Sequence, residues 1–116
     1  SDVRPLTFTG PMLPMSEVAF DAAPSARERE IAFPMKALRR GVGARVETTC
    51  QVQADGSLVC RVPAVRQNDG LEDLVPEFIR AFEKLLPMYR AAPALKNGKP
   101  SADAVFGMAV AFMVGE

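Results

Sequence analysis

Hydrophobic and polar positions alternate from Arg45 to Gln53, with Val46, Thr48, Cys50 and Val52 on one side and Arg45, Glu47, Thr49, Gln51 and Gln53 on the other. Period two predicts a strand with one wet face. Past Asp55-Gly56 the pattern resumes in Leu58, Cys60 and Val62, so Val42 to Val62 reads as a β-hairpin. A two-residue loop, Asp55-Gly56, would set even positions against odd ones and mix the two faces. A three-residue loop, Ala54 to Gly56 with Gly56 left-handed in a bulge, pairs 52 with 58, 50 with 60 and 48 with 62. In that register Gln53 and Ser57 close the turn as a hydrogen-bonded pair, and counting back makes Cys50 and Cys60 a non-hydrogen-bonded pair. Such pairs hold their Cα atoms about 4.5 Å apart, inside the range of about 4.4 to 6.8 Å that a disulfide allows. The geometry permits a bridge and equally permits two buried thiols acting as small hydrophobes.

Periodicity changes on either side of the hairpin. Leu74, Val75, Phe78, Ile79, Phe82, Leu85, Leu86 and Tyr89 recur at three and four, which predicts an amphipathic helix. With Asp73 as N-cap, Pro76 falls in the first turn, where its missing amide costs nothing, and Pro87 ends the helix near Leu86. Upstream, Ser25 and Glu28 have capping-box spacing and start a short helix. Pro34 holds Phe33 extended and opens a further helix that Gly41 closes, with Lys36, Arg39 and Arg40 favourably near its C-terminal end. From Ala104 the chain alternates again, Phe106, Met108, Val110 and Phe112 opposite Val105, Gly107, Ala109, Ala111 and Met113. This predicts a last strand whose second face is small and uncharged, a template for another strand. Between the last two elements lies a loop, Met88 to Pro100, with a turn at Asn97-Gly98. A polar loop, Arg66 to Gly70, follows Pro63.

Helix, hairpin, helix, strand predicts an α+β fold: a three-stranded antiparallel sheet with two helices packed on one face. The domain is expected over 25–116. Residues 1–24 carry Pro5, Pro11, Pro14 and Pro24 among Leu6, Phe8, Met12, Leu13, Met15, Val18 and Phe20. So many prolines forbid a long helix, and so many large apolar residues disfavour a free tail. The expectation is an extended N-terminal arm over a hydrophobic surface, with Ser16 to Phe20 pairing as a short strand.

Composition narrows the function. At 116 residues, 48% hydrophobic and 24% charged, the chain suits one core. Fourteen Lys+Arg balance 14 Asp+Glu, which leaves no global field for nucleic acid or an anionic membrane. The absence of histidine removes His-based triads, proton shuttles and zinc sites. Two cysteines alone make no structural zinc site, and no cofactor or metal is implied. Thiol-disulfide exchange is the one chemistry the residues offer, yet Cys50 and Cys60 do not form a Cys-x-x-Cys redox site; a non-enzyme is expected. No run reaches the roughly 18 apolar residues that a membrane helix needs, and the start at Ser1 reads as a processed form or an excised domain.

Several features, in order, carry a resemblance: Phe33-Pro34, Ala37, Gly41, then Val46, Cys50, Asp55-Gly56, Leu58 and Cys60, then Tyr89-Arg90, Pro93-Ala94, Asn97-Gly98-Lys99-Pro100 and an alternating last strand. Over about residues 31 to 114 this resembles the C-terminal domain of TonB-type energy transducers. The chain departs from that pattern at Ala44, which stands where the family usually has Gly, and at Ala91, which replaces a common aromatic or aliphatic residue. The resemblance implies a periplasmic domain of a Gram-negative bacterium on an inner-membrane anchor, driven by proton-powered motor proteins. It also implies binding of an extended segment, the TonB box, of outer-membrane TonB-dependent transporters by β-strand addition. On this chain the implied partner-binding surface is Ala104, Val105, Phe106, Gly107, Met108, Ala109, Val110, Ala111 and Phe112, with Phe33 and Pro34 at the aromatic-Pro position. A cysteine pair at these positions resembles a branch of the family, and the oxidising periplasm implies a Cys50–Cys60 bridge. The alternative is a self-associating scaffold or signalling module of the cell envelope, a homodimer formed by last strands pairing between chains.

Overall fold

Proline and glycine divide this chain into short pieces that one long strand collects. The computed structural model describes residues 8–67 and 69–115; Pro5 and Leu6 of the expected arm, Asn68 of the polar loop and Glu116 at the end of the expected domain lie outside the described residues. In chain order the elements are β1 (Met12–Leu13), β2 (Phe20–Ala22), α1 (Ala26–Ala32), α2 (Met35–Arg40), β3 (Ala44–Val52), β4 (Leu58–Cys60), β5 (Ala64–Arg66), α3 (Val75–Leu85), β6 (Arg90–Ala91) and β7 (Val105–Phe112). The main sheet runs β1-β7-β3-β4, with β5 also on β3, and β2 pairs with β6 in a second small sheet.

The architecture is α+β, and its sheet is larger than expected. The three-stranded sheet is corrected to five strands, one of them, β1, parallel to its neighbour β7. The added strands are two or three residues long, too short to show a period. The two helices of the expected fold are corrected to three, α1, α2 and α3, and the break between the first two falls at Phe33-Pro34, where the sequence places it. Pro34 carries no amide and bars Phe33 from helical geometry, so Phe33 sits at φ −56°, ψ 127° between α1 and α2. The start of α1 is as the sequence predicts. The Ser25 hydroxyl accepts from the Glu28 amide at 3.1 Å and the Glu28 carboxylate accepts from the Ser25 amide at 2.9 Å. Gly41 ends α2 in the left-handed region, φ 66°.

The hairpin register is the three-residue one: Cys50 faces Cys60, Gln51 faces Val59 and Val52 faces Leu58. Gly56 is left-handed at φ 87°, and the Gln53 amide donates to Ser57 O at 2.8 Å. Cys50 and Cys60 form a disulfide with Cα atoms 4.0 Å apart. A bridge closing so short a loop contributes about 2.5 kcal/mol in the chain-entropy account.

Beyond Cys60 the expected 48–62 pair does not form. β5 pairs with β3 as Glu47–Ala64, Val46–Val65 and Arg45–Arg66, so Arg61, Val62 and Pro63 stand against Thr48 and Thr49. One residue too many makes a bulge, at a proline that cannot donate to the ladder. The slip exchanges the faces. Val65 packs against the core, while Val62, expected on the buried face, is 88% exposed.

Val46, Cys50 and Val52 of β3 and Phe106, Met108, Val110 and Phe112 of β7 form the buried face, under Phe78, Phe82 and Leu85 of α3. Pro76 lies in the first turn of α3 as expected. Asp73 is not its N-cap. A 3-10 turn, Glu72–Leu74, precedes the helix, and Asp73 instead forms a two-pronged ion pair with Arg40 at 2.7 and 3.1 Å. That pair ties α2 to the entrance of α3 and holds the Asp73 carboxyl below its ordinary pKa, first by hydrogen bonding to Arg40.

Candidate functional site: the outer edge of the last strand

β7 is antiparallel to β3 along its whole length, from Gln51–Val105 to Ala44–Phe112. The Val52 amide donates to Ala104 O at 2.9 Å, which fixes the phase of the ladder. Backbone groups of alternate residues turn to opposite sides of an antiparallel strand. Those of Phe106, Met108, Val110 and Phe112 therefore face β3, and those of Val105, Gly107, Ala109 and Ala111 face the other edge. At that edge β1 pairs only as Met12–Val105 and Leu13–Phe106. Among the described residues no strand continues the pairing past Phe106, so Ala109 and Ala111 present donors and acceptors along an open margin.

The side chains divide in the same phase. Phe106, Met108, Val110 and Phe112 are buried and fasten the strand to the core. Gly107, Ala109 and Ala111 lie on the opposite face of the sheet, at most partly buried, and are too small to hinder an incoming strand. A groove of about 400 Å³ runs along this face between Met12, Arg45, Glu47, Thr49, Gly107 and Ala109. Across its floor Glu47 accepts from Arg45 Nε at 2.8 Å and lies 3.7 Å from Arg66 Nε. Two guanidinium groups thus share one carboxylate.

Phe33 and Pro34 reach the far end of the same strand. The Phe33 ring stands edge-on to Phe112 at 5.9 Å and to Phe78 at 6.2 Å. With Arg29, Glu30, Ala111 and Met113 it lines a small pocket of about 90 Å³. Phe33 is half-buried and Pro34 is buried, so part of the Phe33 ring stays at the surface and Pro34 positions it. Of the residues expected at the interface, the structure brings Phe33, Ala111 and Phe112 together. Ala104 and Val105 lie at the opposite end of the edge, where the arm covers Val105. Sequence reasoning missed that cover, Met12 and Leu13. Their signal was the pair of prolines around them, Pro11 and Pro14, which leaves a two-residue extended segment.

The arm reaches β7 by crossing the open face. The Phe8 ring lies 5.1 Å from the Arg61 guanidinium and the Thr49 hydroxyl donates to Met12 Sδ at 3.7 Å. Ser16 sits in a 3-10 turn, Met15–Glu17, rather than in a strand, and the pairing expected for this stretch is made by Phe20–Ala22 on β6. Compared with known proteins, the chain matches no family model, no curated protein and no solved structure.

Proposed function

We propose that this chain is a non-enzymatic periplasmic domain of TonB type that accepts an extended segment of an outer-membrane transporter as a new strand on β7. In this reading an inner-membrane anchor and its proton-driven motor supply the force that the added strand receives. One observation carries the proposal. β7 is a long, uncharged strand whose Ala109 and Ala111 backbone groups face outward with no strand partner among the described residues, and such an edge takes up extended peptides through main-chain bonds while neighbouring pockets select side chains. Two further features fit it. The Phe33 pocket abuts the Ala111 end of the edge, and the Cys50–Cys60 bridge suits an oxidising compartment.

The experiment is a titration of the isotope-labelled chain with a synthetic TonB-box peptide, read by amide resonances. Shifts centred on Ala109 and Ala111, extending to Phe33, are the expected result. Unmoved resonances at millimolar peptide refute the proposal. If light scattering then shows mass rising with concentration, the edge serves a second copy of the chain instead.

A further inference from the structure

The arm is held in two unequal ways, and the difference lies on the working edge. From Glu17 onwards it is bonded firmly: Lys96 N–H donates to Glu17 O at 3.1 Å, Ala92 N–H donates to Ala19 O at 2.8 Å, and β2 pairs with β6. Val18 is 3% exposed, and Phe20 packs edge-on to Tyr89 at 5.4 Å and to Phe106 at 6.2 Å. Upstream of Pro14 the hold is slight. β1 has two paired residues, Met12 is 63% exposed, Leu13 alone of the two packs against the core and is only half-buried, and the side-chain contacts added among the described residues are the Thr49 hydroxyl on a thioether sulfur and the Phe8 ring near Arg61. Pro11 and Pro14 bracket β1, and neither has an amide with which to lengthen the ladder. The sequence thus confines the strand to a length that cannot be stable alone.

We infer that residues 8–13 form a displaceable strap, hinged at Pro14-Met15, which competes with an incoming strand for the first half of the β7 edge. The inference rests on the proposed use of that edge and names the occupant that guards it. With the strap in place, the outward-facing residues without a strand partner are Ala109 and Ala111. In a parallel ladder a residue opposite Phe106, here Leu13, divides its bonds between Val105 and Gly107. Lifting the strap returns those two residues to the edge and doubles the length open to a partner. The core stays closed, because Val18 and Phe20 remain seated. A ligand strand long enough to run the length of β7 binds only as the strap leaves, so the strap sets a cost on pairing along the whole edge while Ala109 and Ala111 stay open to a shorter segment.

The test uses the full chain and its Leu13→Asp variant, with a synthetic copy of residues 8–14, Phe-Thr-Gly-Pro-Met-Leu-Pro, as the probe. A carboxylate in place of the half-buried Leu13 side chain dislodges the strap. Exchange of the Val105 and Gly107 amides is expected to quicken about tenfold or more, since local opening sets that rate, while the resonances of Val18 and Phe20 hold their positions. The probe peptide should then shift Val105 and Gly107 in the variant and leave the parent chain unchanged, because the parent's own strap fills the site. Equal exchange rates in the two chains overturn the strap, as does a probe that shifts both chains alike or neither. A TonB-box titration of the same variant separates this inference from the functional proposal: a strap that lifts beside Ala109 and Ala111 resonances that ignore the transporter peptide refutes only the latter.

Discussion

Replacing Gly56 by Ala tests whether the hairpin tip is held by its turn alone or also by what it touches. Gly56 has φ 87°, and a Cβ built on it would lie 2.6 Å from the Ala91 carbonyl oxygen and 3.0 Å from Arg90 Cδ. The left-handed backbone alone costs an L-residue about 1–2 kcal/mol. The carbonyl belongs to β6, so it cannot swing aside as a side chain would. The tip must back away, which breaks the bond from the Ala91 amide to Gly56 O at 2.8 Å, a net loss of about 1 kcal/mol. The total is about 2–3 kcal/mol. Gly98 supplies the control, because it shares φ 87° yet has nothing within 4 Å of a built Cβ, so Gly98→Ala carries only the backbone cost of about 1–2 kcal/mol. Urea unfolding followed by circular dichroism separates the two. With a slope of about 2 kcal/mol per M, Gly56→Ala should lower the midpoint by about 1–1.5 M and Gly98→Ala by about 0.5–1 M. Equal midpoints would mean that the contact between hairpin tip and β6 contributes nothing, and the packing argument would fail.

Two further predictions concern the bulge and the carboxylates. Val62→Asp should leave the unfolding midpoint within about 0.5 kcal/mol of the parent, whereas Val65→Asp should cost about 1–3 kcal/mol by forcing a charge toward the core; the opposite ranking would restore the unbulged 48–62 register. Glu28, Asp55 and Asp73 all titrate below their ordinary values, held down chiefly by the Ser25 amide, the Ser57 hydroxyl and the Arg40 guanidinium respectively. Groups with depressed folded pKa values stabilise the fold above the unfolded value and lose that effect as pH falls through the folded one. The urea midpoint should therefore decline below about pH 4, less steeply in Asp73→Asn, and a midpoint that stays level or climbs on acidification contradicts the assignment.

Where residues repeat a pattern several times over, their positions could be read in advance. The hairpin register followed from alternation and turn chemistry together, because Gly56 had to be left-handed and only one register then kept Cys50 and Cys60 on a common face. The buried set of β7 and the apolar stripe of α3 were legible for the same reason. What could not be read lay where one residue decides. Nothing in Arg61-Val62-Pro63 announces that the chain slips by one position, since the cost of a proline amide in the ladder depends on there being a β3 to pair with. Asp73 looked like a helix cap, and its carboxylate went to Arg40, a residue 33 positions away. The cover on the candidate site was hidden for a third reason. Met12 and Leu13 have too few neighbours of their kind to show a period, and their partner strand is at the other end of the chain.

The proposed function and the order of strands support each other mechanically. A segment added to β7 lies alongside it, so a pull along the segment shears all its backbone bonds together instead of opening them one by one. The same holds one strand further in, where β7 meets β3 over eight residue pairs. β3 is the strand that can resist such a load. It is paired on its other side to β4 and β5, its Val46, Cys50 and Val52 are wholly buried, and the Cys50–Cys60 bond prevents it from sliding against β4. Under the proposal, the hairpin supplies the fixed anchorage, β7 the exchangeable edge, and the strap the condition for entry. A cross-strand disulfide on the strand next to β7, with Cys50 opposite Phe106, then has a role that packing alone would not require.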